Sequence, residues 1–79
     1  MIINSQEELI DLLKTYMKDA NYKQVDIANK LNIPSGNVNR IFKSKNKINI
    51  DTILKYINAC DAKLDINIIP DNTDEQDKE

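Results

Sequence analysis

The chain of 79 residues has no histidine and no tryptophan, one cysteine, one glycine and two prolines. Each scarcity excludes something. Without histidine, and with Cys60 as the lone thiol, there is no cluster of ligands for zinc and no internal disulfide. General acid–base chemistry would rest on scattered carboxylates and lysines, none of them paired beside a glycine-rich loop, so an enzyme is not expected. No cofactor and no metal are expected either. No apolar run approaches the roughly 18 residues of a membrane span, and the opening MIINSQEELI lacks the basic and long apolar regions of a signal peptide. These absences predict a soluble, cytoplasmic protein that does not engage a membrane. A chain this short has room for one domain with a small core.

What is present is charge, unevenly spread. The formal net charge is −2. Residues 71–79, DNTDEQDKE, hold five acids (Asp71, Asp74, Glu75, Asp77, Glu79) against Lys78, a local net of −4. Residues 1–70 hold ten basic and eight acidic groups, a net of +2. Within 22–50, the six cations Lys23, Lys30, Arg40, Lys43, Lys45 and Lys47 face one acid, Asp26, for a net of +5. An acidic whole therefore does not exclude an anionic partner, because the positive charge is gathered in one place. Asn, Ile and Lys dominate the composition, as drift in an AT-rich genome would produce, so any single Asn or Lys carries less functional weight.

The apolar spacing predicts mainly helix. Ser5-Gln6-Glu7-Glu8 has the capping-box pattern, and Leu9, Leu12, Leu13, Tyr16, Met17 and Ala20 then recur at helical spacing through residue 20. Asn21-Tyr22-Lys23 breaks that helix. A short second helix over 24–31 places Ile27, Ala28 and Leu31 on one face, and Asn32-Ile33-Pro34 stops it, since Pro34 disfavours helical geometry in Ile33. A third helix over 35–43, capped by Ser35 or by the turn before it, buries Val38, Ile41 and Phe42. Residues 44–48, SKNKI, read as a polar loop. Asn49 or Asp51 caps a fourth helix to about residue 60, with Ile50, Ile53, Leu54, Ile57 and Cys60 inward. Lys63 to Ile68 alternates polar and apolar, which predicts a half-buried strand over 63–69. Its backbone needs a partner, either residues 1–4 or the same strand of another chain. Pro70 closes the domain 1–70, and the acidic tail 71–79 is expected to be disordered.

Two short helices joined by a tight turn, the second carrying polar side chains outward, form a helix-turn-helix pattern. Gln24, Ala28, Leu31, Ile33, Val38 and Ile41 follow the order Q-x-x-x-A-x-x-L-x-I-x-x-x-x-V-x-x-I, with a basic loop and a further helix after them. On these residues the chain resembles the Cro/phage-repressor (Xre-type) helix-turn-helix family over about residues 6–62. The resemblance implies a four- to five-helix repressor-like domain that binds double-stranded DNA as a homodimer, with helix 35–43 in the major groove.

A helical wheel puts Gly36, Asn39, Arg40 and Lys43 opposite Val38, Ile41 and Phe42. Gly36 either lets that first turn sit deep against an anion or relieves crowding at the turn containing Pro34. Arg40 has the geometry for guanine or is simply solvated. Asn37 and Asn39 read adenine or reflect composition. Ser35 contacts base or phosphate, or caps. Lys43, Lys45 and Lys47 hold phosphates or line a solvated loop. For Gln24, the resemblance implies a phosphate contact, against a plain helix-start role. Three departures stand out: Pro34 where the family often caps with Ser or Thr, Phe42 where it is frequently polar, and Gly36 where many members carry a base-reading side chain. The last implies modest specificity. The expected function is a transcription regulator, of a kind found on mobile elements, that represses by occupying a promoter. Leu64, Ile66 and Ile68, on one face of the strand, are its expected dimer interface. The rival is a protein-interaction module, an antitoxin or antirepressor, whose strand and acidic tail engage a toxin or other protein.

Overall fold

A computed structural model describes residues 2–71. Four helices follow one another: α1 (Gln6–Ala20), α2 (Gln24–Leu31), α3 (Ser35–Lys43) and α4 (Ile50–Ala59). Local chemistry sets their ends. The Ser5 hydroxyl accepts the Glu8 N–H at 3.2 Å, as a cap should. The Glu8 carboxylate reaches one residue further back than the capping box requires, accepting the N–H of Asn4. At α2 the Asp26 carboxylate accepts the Lys23 N–H at 2.8 Å. At α4 Asn49, not Asp51, is the cap, its side-chain oxygen accepting the Asp51 N–H at 2.8 Å. Ser35 does not cap α3: Pro34 holds that position with φ −64° and ψ 141°, so Ser35 is already inside the helix and no side chain caps it.

α1 and α2 both end on an asparagine in the left-handed region, Asn21 at φ 64° and Asn32 at φ 58°; Asp61, after α4, has φ 58°. The chain then turns back on itself, with the Tyr22 N–H bonded to the Met17 carbonyl and the Ile33 N–H to the Ala28 carbonyl. Asparagine tolerates this geometry better than other residues with a side chain. The turns therefore do without glycine.

α2 is central and packs on both α3 and α4. The core joins Ile10, Leu13 and Met17 of α1, Ile27 and Ala28 of α2, Val38 and Phe42 of α3, and Ile53, Tyr56, Ile57 and Ala59 of α4, with Cys60. Each large aliphatic buried in this way contributes about 1.5–3 kcal/mol. Phe42 meets Tyr56 edge to face, with ring centroids 6.1 Å apart.

Several expectations are corrected. The described residues hold four helices, within the expected four to five, and the corrections lie elsewhere. Ile10 belongs to the core, whereas Tyr16 and Ala20 are exposed. Ile50 is 53% exposed, because it begins α4 on the flank of the stripe formed by Ile53, Tyr56, Ile57 and Cys60. The strand over 63–69 does not form within the chain: residues 62–71 and 2–4 carry neither helix nor strand. Without a ladder the alternation has no face to bury. Leu64 alone packs on the core, while Ile66 is 69% and Ile68 98% exposed. The expected disorder of the acidic tail concerns residues that lie, beyond Asp71, outside the described ones. Among the described residues no helix is long and apolar enough to cross a membrane.

Candidate nucleic-acid interface

The angle between α2 and α3 is set by side chains with no solvent contact. Ile27 and Val38 are fully buried, and Ala28, nearly so, is small enough to let the two helices cross closely. With Val38 and Phe42 turned inward, the opposite line of α3 runs Gly36, Arg40, Lys43, all exposed. Asn37 and Asn39 flank it, half-buried, and Ser35 is exposed at its start.

Gly36 has a negative φ, and a Cβ built there would meet nothing within 4 Å. Neither backbone conformation nor internal packing requires glycine, so relief of crowding at the turn is excluded. Around it the first turn of α3 contains no acid. Its backbone amides carry the positive end of the helix dipole. One turn on, the Arg40 guanidinium donates to the side-chain oxygen of Asn37 at 2.6 Å, which leaves it further donors for an outside acceptor. Gln24 is half-buried at the first position of α2 and makes no side-chain hydrogen bond among the described residues.

The loop after α3 carries Lys45 and Lys47, both exposed. It is held from a distance by Gln6, whose amide donates to the Asn46 carbonyl at 2.9 Å and accepts the Ile48 N–H at 2.7 Å. Between loop and α1 lies a cleft of about 590 Å³ with Glu7 and Asp11 on one wall and Lys43, Lys45 and Lys47 on the other. Lys14 stands 5.9 Å from the centre of the Phe42 ring.

Lys30 belongs elsewhere. It pairs with Asp61 at 3.1 Å, and the Tyr22 hydroxyl donates to the same carboxylate at 2.6 Å. These bonds tie α2 to the end of α4. The hydrogen bond from Tyr22, followed by Lys30, holds the Asp61 carboxyl below its ordinary value. The same bond, with burial and the Asp61 charge, pushes the Tyr22 phenol up to about 12. Arg40, Lys43, Lys45 and Lys47 have no acidic partner among the described residues. None of the four is in an ion pair there, and across the cleft from Lys43, Lys45 and Lys47 the nearest acids are Glu7 and Asp11 of α1. Among the described residues no group of three or more Cys, Asp or Glu side chains could hold a metal. Cys60 is a core residue whose thiol is pushed up by burial.

Residues 13–67 match the sequence model of a helix-turn-helix family. The chain belongs to the Cro/phage-repressor (Xre-type) helix-turn-helix family. Curated proteins and solved structures provide no match. In this helix-turn-helix protein the matched stretch takes in the second half of α1, all of α2, α3 and α4, and the segment after them. Its family is one of DNA-binding transcription regulators, not of enzymes.

Sequence reasoning singled out the α3 residues and Lys45, and the fold gathers Gly36, Arg40 and Lys43 on one line with Lys45 in the loop that follows. It missed Gln6, Tyr22 and Asp61. Their partners lie 42 and 39 residues away, and no local pattern announces such bonds.

Proposed function

We propose that this protein is a sequence-specific regulator that inserts α3 into the major groove of double-stranded DNA and represses transcription by occupying a promoter as a homodimer. The observation that carries the reading is the exposed line Gly36–Arg40–Lys43, where a glycine stands that the chain's own packing does not need. In the groove, Gly36 lets the first turn approach, Arg40 faces guanine O6 and N7, and Asn39 and Ser35 flank the contact. Asn37 adds an adenine contact or steadies Arg40. Gln24, Lys43 and Lys45 hold phosphates on either side. One unit reads only a few base pairs, and two units about 34 Å apart are the usual remedy. Leu64, Ile66 and Ile68 are the proposed interface. An apolar segment with no strand partner among the described residues, and with Ile66 and Ile68 exposed, can pair with the same segment of a second copy.

The exposure of Ile66 and Ile68 also supports the second reading, in which this segment engages another protein as an antitoxin or antirepressor does. Binding to mixed DNA fragments at increasing salt separates the two. A dimer neutralising roughly 4 to 6 phosphates gives log affinity falling with log salt at a slope of about −4 to −5. A flat response would overturn the DNA reading and leave the protein-interaction module standing.

A further inference from the structure

Gln6 lies before the stretch that matches the family, on a different helix from the recognition line, and yet it makes two hydrogen bonds to the lysine-bearing loop. The two loop groups it binds are the carbonyl of Asn46 and the N–H of Ile48. In an extended backbone these point to the same side, flanking the residue between them, and a neighbouring strand would normally bind both. A carboxamide is the side chain that carries one donor group and one acceptor group at the right separation to replace that strand. Glutamate lacks the donor and lysine lacks the acceptor. The residue between the two bonds is Lys47, and Lys45 precedes them. Ser44 also closes the loop: its hydroxyl accepts the Asn46 N–H at 3.0 Å and lies 3.4 Å from the Asn46 carbonyl that Gln6 binds. Ile48 packs on the core beyond it.

We propose that Gln6 is the positioning residue of the phosphate grip: it holds the backbone of residues 46–48 so that Lys45 and Lys47 stand ready for the DNA backbone, without itself touching DNA. The inference rests on the proposed DNA-binding function. It separates two tasks by location, with base reading on α3 and the strength of sequence-independent binding governed from α1. Free lysines on a loose loop pay an ordering cost on binding, and two hydrogen bonds to Gln6 make most of that cost part of folding.

The test uses Gln6→Met, which keeps the side chain's length and deletes both bonds, with Lys45→Ala/Lys47→Ala and the triple variant beside it. Three quantities are measured: exchange of the Ile48 amide proton, affinity for a random duplex at low salt, and melting temperature. Gln6→Met should expose the Ile48 amide to rapid exchange and lower random-duplex affinity roughly three- to tenfold, the worth of one to two hydrogen bonds. In the background without the two lysines, the same substitution should change affinity little. A loss of equal size in both backgrounds means a general structural role and overturns the proposal. So does full affinity in a folded Gln6→Met protein whose Ile48 amide has become exposed. Ser44→Ala loosens the same loop without touching α1 and should give a smaller loss of the same kind. Should Gln6→Met not fold, an unchanged affinity in folded Ser44→Ala overturns the proposal instead. If wild-type binding responds neither to salt nor to the lysine substitutions, the DNA reading itself fails, and Gln6 has no grip to position.

Discussion

A glycine in a helix loosens the backbone by about 0.5–1 kcal/mol relative to alanine, and Gly36 bears that cost where a methyl group would touch nothing within 4 Å. Gly36→Ala should therefore raise the unfolding free energy by up to about 1 kcal/mol in a denaturant titration. Its DNA affinity should fall all the same, because the added methyl stands between the first turn and the groove. A variant that gains stability and keeps full affinity would make the glycine incidental. Arg40 presents a different kind of question, since a cation on this face can read a base or merely hold a phosphate. Arg40→Ala should cost about 1–3 kcal/mol on a site selected from random duplexes and relax the preference at one base pair. Lys45→Ala should weaken all duplexes alike. Equal losses on selected and random DNA for both variants would assign Arg40 to the phosphates. Gly36 was legible as odd in the sequence, where its rarity invited the question. Only the space around it shows that the fold does not supply the answer.

At the scale of elements, α2 and α3 run from Gln24 to Leu31 and from Ser35 to Lys43, as the spacing of Ile27, Ala28, Leu31, Val38 and Phe42 and the stop at Pro34 predict. Those signals are local, and local signals survive into the fold. The alternation at 63–69 is local too, but a strand is a pairing of two segments, and its second member is not visible in one stretch of sequence. Bonds over long separations were invisible for the same reason. The most testable of these joins α2 to α4 through Tyr22, Lys30 and Asp61. Because the folded Asp61 carboxyl sits below its ordinary 3.8, its charge stabilises the fold above that value, and the contribution is lost as pH falls through the depressed folded value. Asp61→Asn should thus melt at a lower temperature than wild type at neutral pH, with the two melting temperatures converging in acid below about pH 3.8. A gap that persists undiminished at the lowest pH would mean that the carboxylate charge is not what binds the two helices.

At the scale of the whole molecule, the proposed dimer needs a contact that holds its two reading heads apart. Ile66 is 69% exposed, so Ile66→Asp leaves the single chain's own packing intact. If the 63–69 segment joins two copies, the variant should sediment as a monomer with unchanged helical content. It should also lose binding to a selected palindromic site far more than binding to a random duplex. A variant that stays dimeric would move the interface to another surface. The way the chain is tied together bears on something else, the order in which it comes apart. The turn between α2 and α3 closes over a few residues, and short-range closure of that kind is fast to form. The bonds of Gln6 to the loop span 40 and 42 residues and lie at or near the surface, where opening costs least. On warming, or in brief fluctuations at rest, the lysine loop should come loose while the α2–α3 angle still holds, and amide exchange should be faster at Ile48 than at Ile27 or Val38. A partly opened molecule of this kind would keep its shape for bases after losing its hold on the backbone, so its dwell time on DNA would shorten before its choice of site changed.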